Sequence, residues 1–499
     1  LKTYTIRLVP LAKEIPVREG TRLLDVLHEY GIEFPCGGQG RCGKCKIKLL
    51  AGEIRKDPFH QQRLRSLGLD EPWRLSCLSI CTSDLLLEVA QYGTIIQADE
   101  TLFKFTPGRG LGIAFDLGTT TLVGQLLDLE TGRILAVETA MNPQSKFGSD
   151  LVTRLEYALR NGSGEATSLI RQKVGMMVGQ LMAGKGGSFD KMVMVGNTVM
   201  HHFFCDLDIM PLSFYPFHSD HLEMVRFTSE ELGWNKIQCD QICFYPPIGS
   251  FVGSDILAGI LATGMHLKEG YSVLIDLGTN GEIVIGNRDT LLCASTAAGP
   301  AFEGAAISCG MQATRGAIAS IQATRNRWTC SVIGGGEPEG ICGSGLIDAV
   351  AVMLKQGLLG EFGEILSGES EVLIDAPVRL TRKDIQEFQL AKSAISTGLQ
   401  ILLRKLAITM DQVEQLYISG GFGSYINLDH VREIGMLNIP ADRISRLGNT
   451  ALIGAKMFLF DDPALAGSIQ SMITHISLES EADFQDLYIQ HLSFDAPAS

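Results

Sequence analysis

Four cysteines have the type and spacing to do redox chemistry. Cys36, Cys42, Cys45 and Cys77 form C-x5-C-x2-C-x31-C, three in one tight loop and a fourth brought back by the fold. Thiolates select soft metals, and this arrangement lies close to the plant-type ligand set of a [2Fe–2S] centre. Gly37, Gly38, Gly40 and Gly43 fill the loop, and small residues let a backbone curl round a cluster and aim N–H groups at its sulfurs. A structural zinc site would favour two C-x2-C knuckles instead. Cys81 competes for the fourth position; Cys77 is preferred because it ends Arg-Leu-Ser-Cys behind an apolar strand-like residue. The loop also matches G-x-G-x-x-G and nearly matches a Walker A motif, but neither match joins a strand to a helix start, as those mechanisms require.

A second chemistry is written twice. Asp116-Leu117-Gly118-Thr119-Thr120-Thr121 and Asp276-Leu277-Gly278-Thr279-Asn280-Gly281 each sit between apolar strands. In such a hairpin Gly admits close backbone approach, turn N–H groups and Thr hydroxyls donate to phosphate oxygens, and the Asp organises Mg²⁺ through water. One Asp-x-Gly hairpin is usually an ordinary turn, whereas two near-identical copies heading two lobes read as a clamp for ATP. A third glycine turn, Gly420, Gly421 and Gly423, follows an apolar strand where an adenosine would pack. Asp276 and Glu303 are the candidate catalytic carboxylates; Glu303 and Glu282 each read either as orienting the attacking water or as only capping a turn. His201 and His202 read as a core pair before they read as ligands. Gln389, Lys392 and Ser393 either reach ribose or adenine or form a solvated helix face. Cys239, Cys243, Cys309 and Cys342 are too scattered for a metal site and read as plain thiols.

These residues need elements to hold them. Residues 2–9 read as a strand, Thr21 as the N-cap of a helix carrying Leu23, Leu24, Leu27 and Tyr30, and 46–50 and 84–90 as further strands. That makes a small β-rich domain over 1–90 with one main helix. Residues 91–110 lose periodicity and end in Pro-Gly-Arg-Gly, a linker. From 111 to 499 the repeated strand–turn–strand, with helical stretches at 149–160 and 254–265, predicts two α/β lobes of about 111–265 and 266–499. The 499 residues carry 42 Lys+Arg against 56 Asp+Glu, a net charge of −14, which argues against nucleic acid and anionic membrane surfaces. No stretch approaches the ~18 apolar residues of a membrane span. The opening LKTYTIRLVP lacks a leader pattern and starts on Leu1, so a trimmed initiator and a cytoplasmic location are expected.

Residues 1–90 resemble ferredoxins, which implies a β-grasp fold and one-electron transfer; the five-residue first gap is nearer to the adrenodoxin type. Residues 111–460 resemble the superfamily of acetate and sugar kinases, heat-shock chaperones and actin. That resemblance maps Asp116, Gly118, Thr119 and Thr120 onto its first phosphate motif. Asp276, Gly278, Thr279 and Asn280 match the second, and Gly420, Gly421 and Gly423 the adenosine motif. Residues 251–264 and 448–458 look like its two connecting helices, so domain closure on ATP is the expected output. Over nearly the whole chain, with the blocks 142–158, 195–204, 299–311 and 340–350, the sequence resembles the ATP-dependent reductive activators of corrinoid proteins.

This last resemblance implies that inactive Co(II) corrinoid is returned to Co(I) in an ATP-dependent complex, with electrons from an upstream low-potential donor. Larger members carry an extra middle domain after the ferredoxin, where this chain has only 91–110. That departure leaves the partner subtype open, with the corrinoid protein of a methyltransferase or O-demethylase system favoured over the corrinoid iron–sulfur protein of acetyl-CoA synthesis. A homodimer is left open. Two alternatives stand beside this reading: an activator of another low-potential enzyme, and a remodelling factor that uses its cluster only as a sensor.

Overall fold

The structure is a computed structural model that describes residues 2–9, 13–27, 32, 38, 40, 43, 45–88, 103, 105–278, 280–324, 327–420 and 426–494. Tyr30, Cys36, Gly37, Cys42, Thr279, Gly421 and Gly423, all singled out above, lie outside the described residues.

The N-terminal part is a five-stranded sheet in the order Lys13–Arg18, Thr3–Val9, Leu85–Glu88, Lys46–Ala51, Trp73–Leu75. Its first and last strands in sequence run parallel, pairing Ile6 with Leu85 and Leu8 with Leu87. Period-two alternation puts Ile6, Leu8, Ile47, Leu85 and Leu87 into one small core. The helix expected after Thr21 is a single turn, Leu24–Leu27. Thr21 does not cap it, because the helix starts three residues later, at Leu24; the Thr21 hydroxyl donates back to the Arg18 carbonyl at 2.8 Å. The main helix is instead Pro58–Ser66, started by Asp57, whose carboxylate accepts from the His60 N–H, and by proline in the first turn. Buried His60 accepts the Leu75 N–H at Nε2 (3.0 Å), tying this helix to the strand that leads into Cys77.

The body repeats one sheet twice. The first runs Val225–Phe227, Ile242–Phe244, Lys191–Val195, Leu111–Leu117, Thr121–Asp128, Ile134–Met141; the second runs Ile444–Arg446, Val413–Ser419, Tyr271–Leu277, Gly281–Gly286, Leu291–Thr296, Ile473–His475. In each, a three-strand antiparallel meander is flanked by a later strand lying parallel to its first strand. The strand–turn–strand at 111–128 and at 271–286 is thus the centre of each lobe.

Between the sheets lies a shared core in which Ala114, Val193, Leu274 and Val284 pack with Leu257, Ile260, Leu452 and Ala455. The last four come from two helices, Ser254–Thr263 and Thr450–Phe458, which cross between the lobes. Their approach depends on missing side chains: a Cβ on Gly454 would sit 2.1 Å from the Ala258 carbonyl oxygen. Within the stretch expected as linker, Phe103 and Phe105 pack on Phe460 with ring centroids 5.6 and 4.5 Å away, so that end belongs to the packing of the body. Among the described residues no helix is long and apolar enough to cross a membrane.

The crossing yields a stability test. Gly454→Val should destabilise the protein by about 1–3 kcal/mol through overpacking. Gly467→Ala, in a helix where a Cβ meets nothing within 4 Å, should be neutral or stabilising. Calorimetric unfolding of both variants checks the contrast.

Candidate functional site

The second sheet lines up a polar row by register. Asp276 lies opposite Glu282 on one side and Ser419 on the other, and Glu282 lies opposite Ser295. Residues directly opposite share a face, so four strands present Ser419, Asp276, Glu282 and Ser295 together. Ser419 Oγ donates to Asp276 Oδ2 at 2.8 Å, and Ser295 Oγ to Glu282 Oε1 at 3.4 Å. Glu282 therefore belongs to the row and caps no turn. Asp116 holds the matching place in the first sheet, where Asn449 Nδ2 donates to its Oδ2 at 2.6 Å. Asp255, in the first turn of the helix Ser254–Thr263, completes the group.

Ionisation shows how close these carboxylates stand. Burial pushes Asp116 up to about 7, opposed by the Asn449 hydrogen bond and helped by Asp276. Burial, then the charges of Asp116 and Asp276, push Asp255 up to about 8. Asp276 is raised by burial, and Glu282 is held well above the usual carboxylate range by burial and then by Asp255 and Asp276. Enclosed carboxylates that repel one another are relieved by a cation, so the donor set fits a hydrated divalent ion carrying phosphates.

The turns supply the phosphate side. Gly118 N–H donates to the Thr121 carbonyl (3.1 Å) and Gly278 N–H to the Asn280 carbonyl (3.0 Å), so each glycine closes its hairpin, the second turn being one residue tighter than the first. A Cβ on Gly118 would strike the Thr121 oxygen at 2.5 Å, whereas at Gly278 the nearest atom is 3.7 Å away. Thr119 Oγ1 accepts from Asn197 (2.8 Å), and Thr120 Oγ1 lies 3.4 Å from Glu303 Oε2. Gly420 has φ +99° and would carry a Cβ 2.2 Å from the Leu277 carbonyl, so the strand Val413–Ser419 ends against the start of the second hairpin.

In the N-terminal part, Cys45 Sγ and Cys77 Sγ are buried 3.2 Å apart. Ser76 donates from both N (3.0 Å) and Oγ (2.9 Å) to the Cys45 carbonyl, locking the two cysteine segments together. Cys81 instead turns its thiol to the Ser83 carbonyl at 3.3 Å, which favours Cys77 as the fourth ligand. Gly38, Gly40 and Gly43 all take positive φ, and a Cβ on Gly38 or Gly40 would lie 2.7 Å from Leu24 or Leu78. Two thiols side by side, beside glycines held at positive φ, fit an iron–sulfur cluster.

Other candidates resolve differently. His201 and His202 are buried, with His202 bonded to the Asp208 carbonyl and to Ser219, so the pair is core. Cys239 and Cys342 are buried thiols facing the carbonyls of Asp190 and Ile318. Gln389, Lys392 and Ser393 follow neither expectation: they are buried and spend their hydrogen bonds on the carbonyls of Leu492, of His491 and Ser493, and of Tyr488.

Three residues escaped the sequence reading. Asp255 and Asn449 are described above. The third is Arg154, which donates from Nε to the Gly148 carbonyl at 2.9 Å. Burial lowers Arg154 to about 10, while the charges of Asp150 and Glu303 oppose that fall. The signal for Asp255 and Asn449 was an Asp or Asn at the start of an apolar helical run, which reads only as a cap or dipole residue.

A pH prediction follows from Asp255. Its folded pKa of about 8 exceeds the ordinary 3.8, so the folded chain holds an extra proton between those values. Stability from this group is full below the lower value and falls as pH climbs to the upper one. Asp255→Asn should therefore raise the melting midpoint of the nucleotide-free protein by a few degrees at pH 8, with the two proteins converging toward pH 4, as read by calorimetry across pH.

Comparison with known proteins agrees with this geometry. Residues 7–82 match the model of the 2Fe-2S iron-sulfur cluster binding domain. Residues 111–268 match the RACo middle region, and 270–498 match the C-terminal domain of RACo, the ASKHA domain. In this chain the stretch matched as middle region is the first six-stranded lobe. The corrinoid activation enzyme RamQ of Eubacterium limosum is 29% identical over 97% of this chain and 98% of its own length. The [Co(II) methylated amine-specific corrinoid protein] reductase of Methanosarcina barkeri is 28% identical over 77% of each. A solved reductive activator for corrinoid, iron-sulfur protein superposes with a TM-score of 0.68 at 25% identity over 98% of both chains. An N-terminal [2Fe–2S] domain joined to a nucleotide-binding, actin-like body of two α/β lobes, both matched by models of one family, places this chain among the reductive activators of corrinoid proteins.

Proposed function

We propose that the protein uses ATP to drive one electron onto a corrinoid protein, converting inactive Co(II) corrinoid to Co(I). The observation that carries this reading is the joining in one chain of a cysteine-bearing domain, with the Cys45 and Cys77 thiols side by side, and a two-lobed body whose buried carboxylates call for a cation and phosphates. The printed names of the two relatives, a corrinoid activation enzyme and a Co(II) corrinoid protein reductase, support it.

The [2Fe–2S] cluster supplies the electron, and Cys36, Cys42, Cys45 and Cys77 are its proposed ligands. For a one-electron step each ~59 mV uphill costs about 1.4 kcal/mol, so a low-potential acceptor requires an energy source. In the body, Asp116 and Asp276 hold Mg²⁺ through water. Thr119, Thr120, Thr279 and Asn280, with the hairpin N–H groups of Gly118 and Gly278, bind the phosphates. Gly420, Gly421 and Gly423 receive the adenosine. Asp276 and Glu303 are the carboxylates proposed to orient water, with Asp255 beside them. Binding of both hairpins to one ATP draws the lobes together about the Gly454 crossing, and that movement selects the complex in which electron transfer proceeds.

The proposed partner is the corrinoid protein of a methyltransferase or O-demethylase system, with a low-potential donor upstream. The free thiols of the body suit the reducing cytoplasm.

Anaerobic mixing of the reduced protein with a Co(II) corrinoid protein should develop the Co(I) absorption spectrum only when MgATP is present. Cys42→Ala should abolish reduction and spare ATP binding. Asp116→Ala should keep the visible absorption of the cluster and weaken MgATP binding at least tenfold. Tight partner binding without reduction under any nucleotide condition would instead favour a remodelling factor.

A further inference from the structure

The two lobes repeat a small device at a helix start. Gly196-Asn197-Thr198 precedes the helix Thr198–Cys205, and Gly448-Asn449-Thr450 precedes Thr450–Phe458. In both, the Asn side-chain oxygen caps its helix, accepting from Met200 N at 3.0 Å and from Leu452 N at 2.8 Å. In both, the side-chain amide is left over and points at the first phosphate hairpin: Asn197 Nδ2 donates to Thr119 Oγ1 at 2.8 Å, and Asn449 Nδ2 to Asp116 Oδ2 at 2.6 Å.

The two differ in reach. Asn197 stays within its own lobe. Asn449 spans 333 positions of sequence and joins a helix that follows the second sheet to the carboxylate of the first. Capping alone does not explain the residue, since Ser and Asp cap about as well as Asn and need only an acceptor. What Asn adds is the donor. Asp at 449 would cap the helix while setting a second negative charge against Asp116. The helix so capped carries Gly454, packed on the Ala258 carbonyl of the helix that holds Asp255. One side chain therefore connects a carboxylate of the phosphate site to the lobe crossing.

We propose that Asn449 is a positioning residue for nucleotide: its amide fixes one oxygen of Asp116 across the cleft, so that the carboxylate meets the phosphate-bound cation in one orientation and the crossing helix moves with it. The inference rests on the MgATP reading above and adds to it the residue that makes magnesium count. Without the donor, Asp116 is free to rotate and its share in holding the hydrated cation falls. Contacts of ATP that do not run through the cation are untouched.

Calorimetric titration of the full chain with ATP, in excess magnesium and in EDTA, tests this on wild type, Asn449→Ser and Asn449→Asp. Both variants keep a capping acceptor. Binding in EDTA should match wild type for Asn449→Ser, while the gain in affinity from magnesium should shrink at least tenfold. Asn449→Asp should lose more of that gain, from like charge against Asp116. A purely structural role would lower the melting midpoint and weaken both titrations alike, which would overturn the proposal, as would an unchanged magnesium gain in either variant. If Asn449→Ser does not fold, Asn449→Asp alone decides. Wild type showing no MgATP binding would overturn the nucleotide reading itself, and the inference with it.

Discussion

Everything in the body is arranged round carboxylates that the fold forces together without neutralising them. Asp116 comes from one sheet, Asp276 and Glu282 from the other, and Asp255 from the helix between. Burial raises all four, and their mutual repulsion adds to it for Asp116, Asp255 and Glu282. Such an arrangement is costly to an empty protein and serves only one that receives positive charge there. The hydrogen bonds that reach it include neutral donors on each carboxylate: Asn449 on Asp116, Ser419 on Asp276, Ser295 on Glu282 and the Ile256 N–H on Asp255. They orient the carboxylates and leave the charge to be met by a ligand.

Bringing the charges together requires two like sheets, and bringing the sheets together requires small residues. The meander with its parallel fourth strand is built twice, so Asp116 of one sheet and Asp276 of the other feel each other's charge. The crossing helices then approach until Gly454 touches the Ala258 carbonyl. A glycine there keeps the crossing close-packed without a side chain to interlock, which is the condition for one helix to slide on the other.

Much of this was legible in the sequence because the decisive signals are local. A strand, a turn with Asp and Gly at fixed places, and a second strand are written within eighteen residues, and writing them twice announced the paired lobes. The cysteine loop was equally local. What escaped reading acts across the fold. Asn449 and Asp255 look like ordinary helix-start residues until the second sheet is laid beside the first. Thr21 looked like a cap, but the helix starts three residues beyond it, at Leu24. Lys392 looked like part of a wet helix face, since nothing in its neighbours along the helix Arg382–Leu406 shows that residues about a hundred positions later will cover it.

That last side chain bears on how the molecule is made. The Lys392 amine is lowered to about 8 by burial alone, and the two carbonyls it donates to, those of His491 and Ser493, lie 99 and 101 residues downstream. A ribosome delivering this polypeptide emits the amine long before its acceptors. Until they emerge, the second lobe carries an uncompensated polar group in its interior. Its final consolidation must therefore wait for the tail, which makes this lobe the vulnerable half of the nascent protein.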